Sequence, residues 1–410
     1  MIKNIFKLNF YAFTWHSIFL ALASNFMNMD TIIPAVLIKA GGSSFELGLL
    51  TAIMIGVANL FQLLFAGFLA HKKFKKIYLL IGIHLRVFSL FALALLFLFT
   101  NSISNQFLIL NIFIFITIFS ISGAFANISY TDILGKAILL DDRKKFFTLR
   151  QSLSSIGILI SSFAIKIILQ KYNYPANYST LFFAAAGLLG IATIGFWVIK
   201  EPESRLRNSE FHLLKYLKDI PGYIKKDKNL LYYLIIINIL AFAITIIPFL
   251  IDFAKSAFKL TGSIIGNFII LRTTGMLAAS LFLFNKSRHN RTYKGILKST
   301  IIIGIAIPIL AIFFINNYYL YIGLFFITGI FFAIYQISVS GIMLEISNEE
   351  NRAIYTGISG VGSIVGIIFP SFAGLLIENF GHQIVFILVS LIISTALFFI
   401  PKLNCHPEKT

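Results

Sequence analysis

Charged side chains inside long apolar stretches are the residues of this sequence best placed to bind or move charge. Asp30 stands just before Thr31 and Pro34, near the end of the first stretch. A carboxylate in an enclosed site can take up a proton from outside, so Asp30 is the first candidate for proton coupling. Arg272 and Arg86 lie well inside two other stretches, where a guanidinium needs water, a carboxylate or an anionic ligand.

The composition shows what surrounds these charges. Of 410 residues, 58% are hydrophobic and 12% are charged, and the mean hydropathy is +0.89. A soluble domain has about a quarter of its residues charged, so most of this chain must lie in lipid. The net charge of +18 comes from short basic clusters between apolar runs, which argues against a nucleic-acid partner. No cofactor or metal is predicted, because the single Cys405 excludes a Cys framework and no GxxxxGK[ST] motif is present.

Twelve segments are long and apolar enough to cross a bilayer, which takes about 20 residues each. Backbone amides in lipid must be bonded within their own segment, so the segments are predicted to be helices and the fold all-α. In chain order, the segments cover residues 11–36, 45–70, 77–99, 106–130, 149–169, 178–199, 230–252, 262–284, 296–315, 318–343, 353–377 and 383–400.

The distribution of Lys and Arg predicts the orientation. The basic clusters recur after every second segment, as in "HKKFKK" and between Lys136 and Arg150. Cytoplasmic loops carry such an excess, so both termini should face the cytoplasm of a bacterial inner membrane. The longest polar stretch predicts a division into a six-helix bundle over residues 1–199, a cytoplasmic linker over 200–229 and a second bundle over 230–410.

The chain contains an internal repeat. The tetrapeptide TIIP begins at Thr31 and again at Thr245, 214 residues later, and is expected to end segments one and seven. Asp132 and Glu345, at the ends of segments four and ten, are 213 residues apart. The shared offset indicates two halves derived from one six-helix unit, which is typical of secondary transporters.

Polar side chains follow helical spacing on segments one, four, seven and ten. A polar face inside a membrane must meet protein or water, so we expect these four segments to line a shared cavity. The alternative is that the groups only bond neighbouring helices. Together with Arg272, the candidate substrate-binding residues are Asn25, Asn28, Asn127, Tyr130, Asn238, Thr245, Gln336 and Ser340.

Three further interpretations concern individual segments. Arg86, with His84 nearby, is interpreted as part of a structural pair, since segment three looks peripheral. Asp252 has the place on segment seven that Asp30 has on segment one, but is expected to be more exposed. Segment eleven repeats small residues every four positions, a face that lets another helix approach closely. These residues are Gly362, Gly366, Pro370 and Gly374.

The chain resembles the major facilitator superfamily over nearly all its length. "AGFLAHKKFKK" is similar to the family's signature between helices two and three: Gly67, Leu69, Ala70, Lys72, Lys75 and Lys76 fit it, while His71 and Phe74 depart from it. The resemblance implies that this loop latches a cytoplasmic gate through charge contacts. By that analogy, Asp132 would pair with Lys72 or Lys75. Glu345 would pair with Arg288 or Arg291 in the other half.

We therefore predict a secondary transporter that moves a small organic solute by alternating access, coupled to protons through Asp30. Uniport and solute exchange on the same fold stay open. The competing class is a polytopic membrane enzyme, which should show clustered acids or histidines near an interface; Asp141 and Asp142 lie in a basic loop and no HExxH motif is present, so no enzyme is predicted. A lipid flippase is a third option. The expected partners are the solute, protons and the lipid bilayer, and the expected state is a monomer.

Overall fold

The computed structural model describes most of the chain as helices. The residues described are 2–57, 59, 61, 65, 68–69, 72–138, 140–202, 213–286, 292–347, 355, 358–360 and 363–404. Strands are absent from these residues, which confirms the all-α prediction. The principal helices are α1 (Ile2–Asn25), α2 (Ile32–Lys39), α3 (Ser44–Ala52), α4 (Lys76–Leu98), α5 (Asn105–Ala137), α6 (Leu140–Lys171), α7 (Ala176–Val198), α8 (Leu213–Lys226), α9 (Lys228–Ile246), α10 (Phe249–Ala257), α11 (Gly262–Lys286), α12 (Tyr293–Phe314), α13 (Tyr318–Ile346), α14 (Ile364–Phe380) and α15 (His382–Ser394).

Ten helices of the described part are long and apolar enough to cross a membrane, by length and composition. They correspond to predicted segments three to twelve. Segment one is represented by α1 and α2, and segment two begins with α3 and one π-helical turn over Ile53–Val57. The apolar runs thus locate the helices because each must bond its own backbone in lipid.

The repeated TIIP does not end its segment, contrary to the sequence interpretation. In segment one the helix is interrupted between Asn25 and Ile32, and it then resumes as α2 with Pro34 in the first turn. In segment seven, α9 ends just before Pro248, which is the N-cap of α10. Proline lacks an N–H and has a fixed φ, so the first turn of a helix tolerates it. TIIP therefore marks a helix restart in both halves.

The helices form two compact units. The first comprises residues 1–41 and 57–213, and the second comprises residues 42–56 and 214–410. The predicted division around residues 200–229 stays a prediction. In the first unit, α4 packs against α5 and α7, and α1 packs against α6 and α7. Its core includes the buried rings of Phe13, Phe146 and Phe196.

In the second unit, α13 packs against α11 and α12, and α14 packs against α3 and α9. The contact between α3 and α14 is a close approach of two backbones. A Cβ atom on Gly48 would overlap the carbonyl oxygen of Pro370, and one on Gly374 would overlap that of Ser44. The small-residue face predicted for segment eleven is confirmed at Gly374, while Gly362 lies outside the described residues.

Candidate functional site

A small polar cavity lies inside the first unit. Its volume is about 90 Å³. The walls come from α1, α4, α5, α6 and α7, so the site depends on five helices of one bundle. Its polar lining residues are His16, Arg86, Asn127, Tyr130 and Arg150.

Helical spacing brings the α5 residues to this cavity. Gly123, Asn127 and Tyr130 are four and three positions apart, which places them on one face of α5. All three line the cavity. Two of the predicted substrate-binding residues, Asn127 and Tyr130, therefore share a polar pocket.

Aromatic rings hold the basic residues of the pocket. The Arg86 guanidinium carbon lies 4.0 Å from the centre of the Phe119 ring. The His16 ring stacks on Phe196 with 3.8 Å between centroids, and the Arg150 guanidinium carbon is 5.8 Å from the centre of the Tyr130 ring. Cation–π contacts favour a guanidinium in surroundings that exclude water. The sequence interpretation placed Arg86 in a structural pair. Within the described residues this is wrong, because the Arg86 guanidinium contacts the Phe119 ring and forms no ion pair there.

Asn25 and Asn28 occupy a different part of the first unit. Asn25 is buried and its amide Nδ2 donates to the hydroxyls of Ser161 and Ser162 on α6, at 3.1 and 2.8 Å. The Asn28 amide oxygen accepts from the Asp30 backbone N–H and from the Thr31 hydroxyl, across the gap between α1 and α2. These contacts are of the kind that bond neighbouring helices or cap a helix start. Asp30 itself is buried.

The second unit contains a larger cavity of about 540 Å³. Asn238 is the polar residue among lining side chains that are otherwise aliphatic or aromatic, such as Phe242 and Ile364. The Asn238 amide donates to the Leu234 carbonyl and accepts from the Val365 N–H, so it ties α9 to α14. This cavity suits an apolar occupant.

The other candidates of the second unit lie on α9, α11 and α13. Thr245 is buried and its hydroxyl donates to the Ala241 carbonyl of its own helix. The Arg272 guanidinium carbon lies 4.6 Å from the centre of the Phe332 ring. Gln336 and Ser340 are exposed on α13. A single cavity shared by segments one, four, seven and ten stays a prediction.

A charge network lies in the first unit at the end that the sequence predicts to be cytoplasmic. Lys75 Nζ lies 2.7 Å from Asp132 Oδ1, which is one of the two pairs that the resemblance implied. Lys136 Nζ bridges Asp132 and Glu201 at 2.7 and 2.8 Å. The Glu201 carboxylate also accepts the backbone N–H groups of Lys75 and Lys76. It thereby anchors the start of α4 to the chain after α7.

The remaining latch residues are placed differently. Lys72 is not the partner of Asp132, and its Nζ lies 5.0 Å from the centre of the Phe68 ring. Gly67 falls outside the described residues, as do the proposed partners of Glu345, which are Arg288 and Arg291. The gating role of this set stays a prediction.

Asp252 is buried, contrary to the expectation that it is exposed. The Ser44 hydroxyl donates to its Oδ2, and His382 Nε2 lies 3.1 Å from the same oxygen. The His382 ring stacks on Phe253 with 5.1 Å between centroids. Three elements of the second unit, α3, α10 and α15, thus meet at one carboxylate.

We expect Asp252→Asn to weaken this junction more than Asp252→Glu does. The amide removes the charge that a protonated His382 would meet, and it leaves one oxygen for two former partners. The predicted effect is a loss of about 1–3 kcal/mol of stability, read as a lower thermal midpoint of the purified protein. A midpoint equal to that of the unaltered protein in Asp252→Asn would contradict the role assigned to this carboxylate.

Sequence reasoning missed three residues of these sites. His16 lies in an apolar segment beside other polar residues. Its neighbours in the sequence do not indicate which helices it contacts. Arg150 was counted among the loop cations that set orientation, although it lines the cavity. Glu201 comes two positions after the end of segment six, and an acid at that helix end was the available signal.

The ten apolar helices of the described part are those of a polytopic membrane protein. The sequence profile of the Major Facilitator Superfamily matches residues 18–297. The chain therefore belongs to the major facilitator superfamily, as its resemblance predicted. No curated protein sequence matches it.

Solved transporter structures share the fold. The nucleoside transporter NupG is similar with a TM-score of 0.66 at 16% identity, over 97% of this chain and 98% of that one. A bacterial homologue of the human lysosomal transporter Spinster gives 0.66 at 11% identity, over 97% and 96%. A POT family transporter in complex with 5-aminolevulinic acid gives 0.70 at 12% identity, over 97% and 96%. At these identities the likeness concerns the fold.

Proposed function

We propose that this protein is a secondary active transporter that moves a small organic solute across a bacterial inner membrane by alternating access. The observation that carries the proposal is the polar cavity of His16, Arg86, Asn127, Tyr130 and Arg150 among helices long and apolar enough to cross a membrane. Polar groups at membrane depth are costly, and in such proteins they mark the path of a solute. Both termini lie in the cytoplasm in this proposal, and the chain acts as a monomer.

The candidate substrate contacts fall into two groups. Asn127 and Tyr130 line the cavity of the first unit, while Asn238 lines that of the second. Gln336 and Ser340 are exposed on α13 and line neither cavity. The names of the structurally similar transporters point to different kinds of solute. The substrate of this chain therefore has to be identified by experiment.

Proton coupling is assigned to Asp30. Its carboxylate is buried at the break between α1 and α2, where the helix is interrupted. Protonation of a buried carboxylate changes its preferred contacts, which is how a proton can favour one conformation over another. The Lys75–Asp132–Lys136–Glu201 network is assigned to the cytoplasmic gate.

The test is solute uptake into proteoliposomes. A thermal-shift screen of the purified protein against a metabolite panel identifies the solute, and uptake is then measured with and without a pH gradient. We expect the gradient to accelerate uptake by the unaltered protein and by the control Asp142→Asn, whose carboxylate is exposed. Asp30→Asn should retain solute binding and lose the response to the gradient. An unchanged response in Asp30→Asn would remove the coupling assignment.

A second candidate is the transport of a lipid-like solute. The observation that favours it is the apolar cavity of about 540 Å³, which lies in the size range of ligand pockets. It predicts that Phe242→Ala and Ile364→Asn reduce transport of a fluorescent lipid between leaflets. Uptake of a water-soluble solute with no lipid movement would exclude this candidate.

A further inference from the structure

We propose that the cavity of the first unit is an anion site and that it binds the carboxylate or phosphate group of the transported solute. This inference deepens the proposed function and rests on it in one respect, namely that the bound anion is part of a transported solute. Binding of the anion itself does not depend on transport. The proposal stands on the charge, the hydrogen-bonding capacity and the size of the cavity.

The cavity has an excess of positive charge. Arg86 and Arg150 carry full charges, and the His16 ring is a further polar group on its walls, with Nδ1 3.2 Å from the Ala192 carbonyl oxygen. No Asp or Glu among the described residues lines it. The two acids of the charge network in the same unit, Asp132 and Glu201, are bonded to lysines. A bound anion would neutralise charges that meet no carboxylate among the described lining residues.

Arg86 has hydrogen-bonding capacity left over. Its Nε is buried and has no hydrogen-bond partner in the part of the chain described here. A guanidinium offers five N–H donors in a planar fork, and a buried donor without an acceptor is costly. The guanidinium carbon lies 4.0 Å from the centre of the Phe119 ring, which provides no oxygen acceptor for an N–H group. Carboxylate and phosphate oxygens match the fork geometry.

The size of the cavity selects a chemical group and not a whole molecule. The cavity volume of about 90 Å³ is well above the minimum of about 10–15 Å³ that one water molecule needs. That volume accommodates a carboxylate or a phosphate, whereas pockets for whole drug-sized ligands start near about 300 Å³. Asn127 and Tyr130 supply neutral donors on the α5 wall. The rest of the solute would lie outside this pocket.

Gly123 keeps the pocket open beside Arg86. A Cβ atom at this position would lie 3.4 Å from Arg86 Nε, at the edge of ordinary van der Waals contact. A larger side chain at Gly123 would therefore occupy the space that the anion needs, without changing any charge. This provides a steric test that is independent of the electrostatic one.

The experiment measures thermal unfolding of the purified full chain against increasing sodium phosphate, sodium acetate or sodium chloride at constant ionic strength. Phosphate stabilises proteins generally by exclusion from their surface, so the diagnostic signal is a saturable rise in the midpoint. We expect saturation with phosphate or acetate and none with chloride. The series is repeated in nanodiscs of phosphatidylcholine alone and with phosphatidylglycerol. A signal abolished by phosphatidylglycerol would assign the site to a lipid phosphate and overturn the solute assignment.

Variants locate the site. Arg86→Gln and Arg150→Gln should each weaken the saturable response roughly 10- to 100-fold, as expected for losing a charge-assisted hydrogen bond. Gly123→Val should weaken it similarly with all charges kept. Lys166→Gln is the charge-matched control, because Lys166 is a basic residue of α6 that does not line the cavity. It should respond like the unaltered protein.

Two outcomes separate this inference from the proposed function. Equal anion affinity in the unaltered protein, Arg86→Gln and Gly123→Val would overturn the anion site, even if uptake of a neutral solute proves transport. A saturable anion response that these variants lose, without uptake of any solute, would instead leave the site standing and overturn the transporter assignment. If Arg86→Gln fails to fold, Arg150→Gln and Gly123→Val still decide the question.

Discussion

Glu201→Ala is expected to destabilise the first unit by about 3 kcal/mol, the lower end of the range for breaking a buried ion pair. The Glu201 side chain is 3% exposed and bonds Lys136 Nζ together with the backbone N–H groups of Lys75 and Lys76. Its removal leaves two backbone donors and one ammonium group without that acceptor. The measurement is the thermal midpoint in detergent, together with protease sensitivity near the start of α4.

The controls for Glu201 separate charge from hydrogen bonding. Asp142→Ala removes an exposed carboxylate, and surface ion interactions contribute about 0–1 kcal/mol, so its midpoint should change little. Glu201→Gln keeps one acceptor for the α4 backbone and should fall between Ala and the unaltered protein. A Glu201→Ala protein as stable as Asp142→Ala would show that this carboxylate does not anchor α4.

Gly48→Ala is expected to separate α3 from α14 and to abolish transport. Its Cβ would overlap the Pro370 carbonyl oxygen, and backbone cannot move aside as a flexible side chain can. Overpacking of this kind costs typically about 1–3 kcal/mol. Gly374→Ala should act in the same way from the α14 side, through the Ser44 carbonyl. Thermal stability and proteoliposome uptake provide the two readouts.

The matched control for this pair is Gly323→Ala. Gly323 lies in α13 of the same unit, and a Cβ there would meet nothing within 4 Å. Alanine is also the better helix former, so Gly323→Ala should be neutral or stabilising by up to about 1 kcal/mol. Wild-type stability and uptake in Gly48→Ala would show that the close approach of α3 and α14 is not needed.

The spacing of glycines and the length of an apolar run can be read from one segment without knowing which other segments it contacts. The sequence therefore predicted the helices from apolar runs, the close-packing face of segment eleven at Gly374 and the family from its loop motif. The pairing of Lys75 with Asp132 also followed from that motif. The TIIP motifs were interpreted as helix ends, whereas the structure shows that a new helix starts there. Proline is compatible with the end of one helix and with the start of the next, so the motif alone does not distinguish the two.

The sequence by itself determined that this chain is a bundle of membrane helices, since lipid requires every apolar segment to satisfy its own backbone. Only the tertiary structure decided which polar residues meet. Asn25 and Asn127 look alike in the sequence, yet one bonds Ser162 and the other lines a cavity with Arg86 and His16. Those neighbours come from separate helices, and the packing of helix against helix, which no local spacing encodes, brings them together.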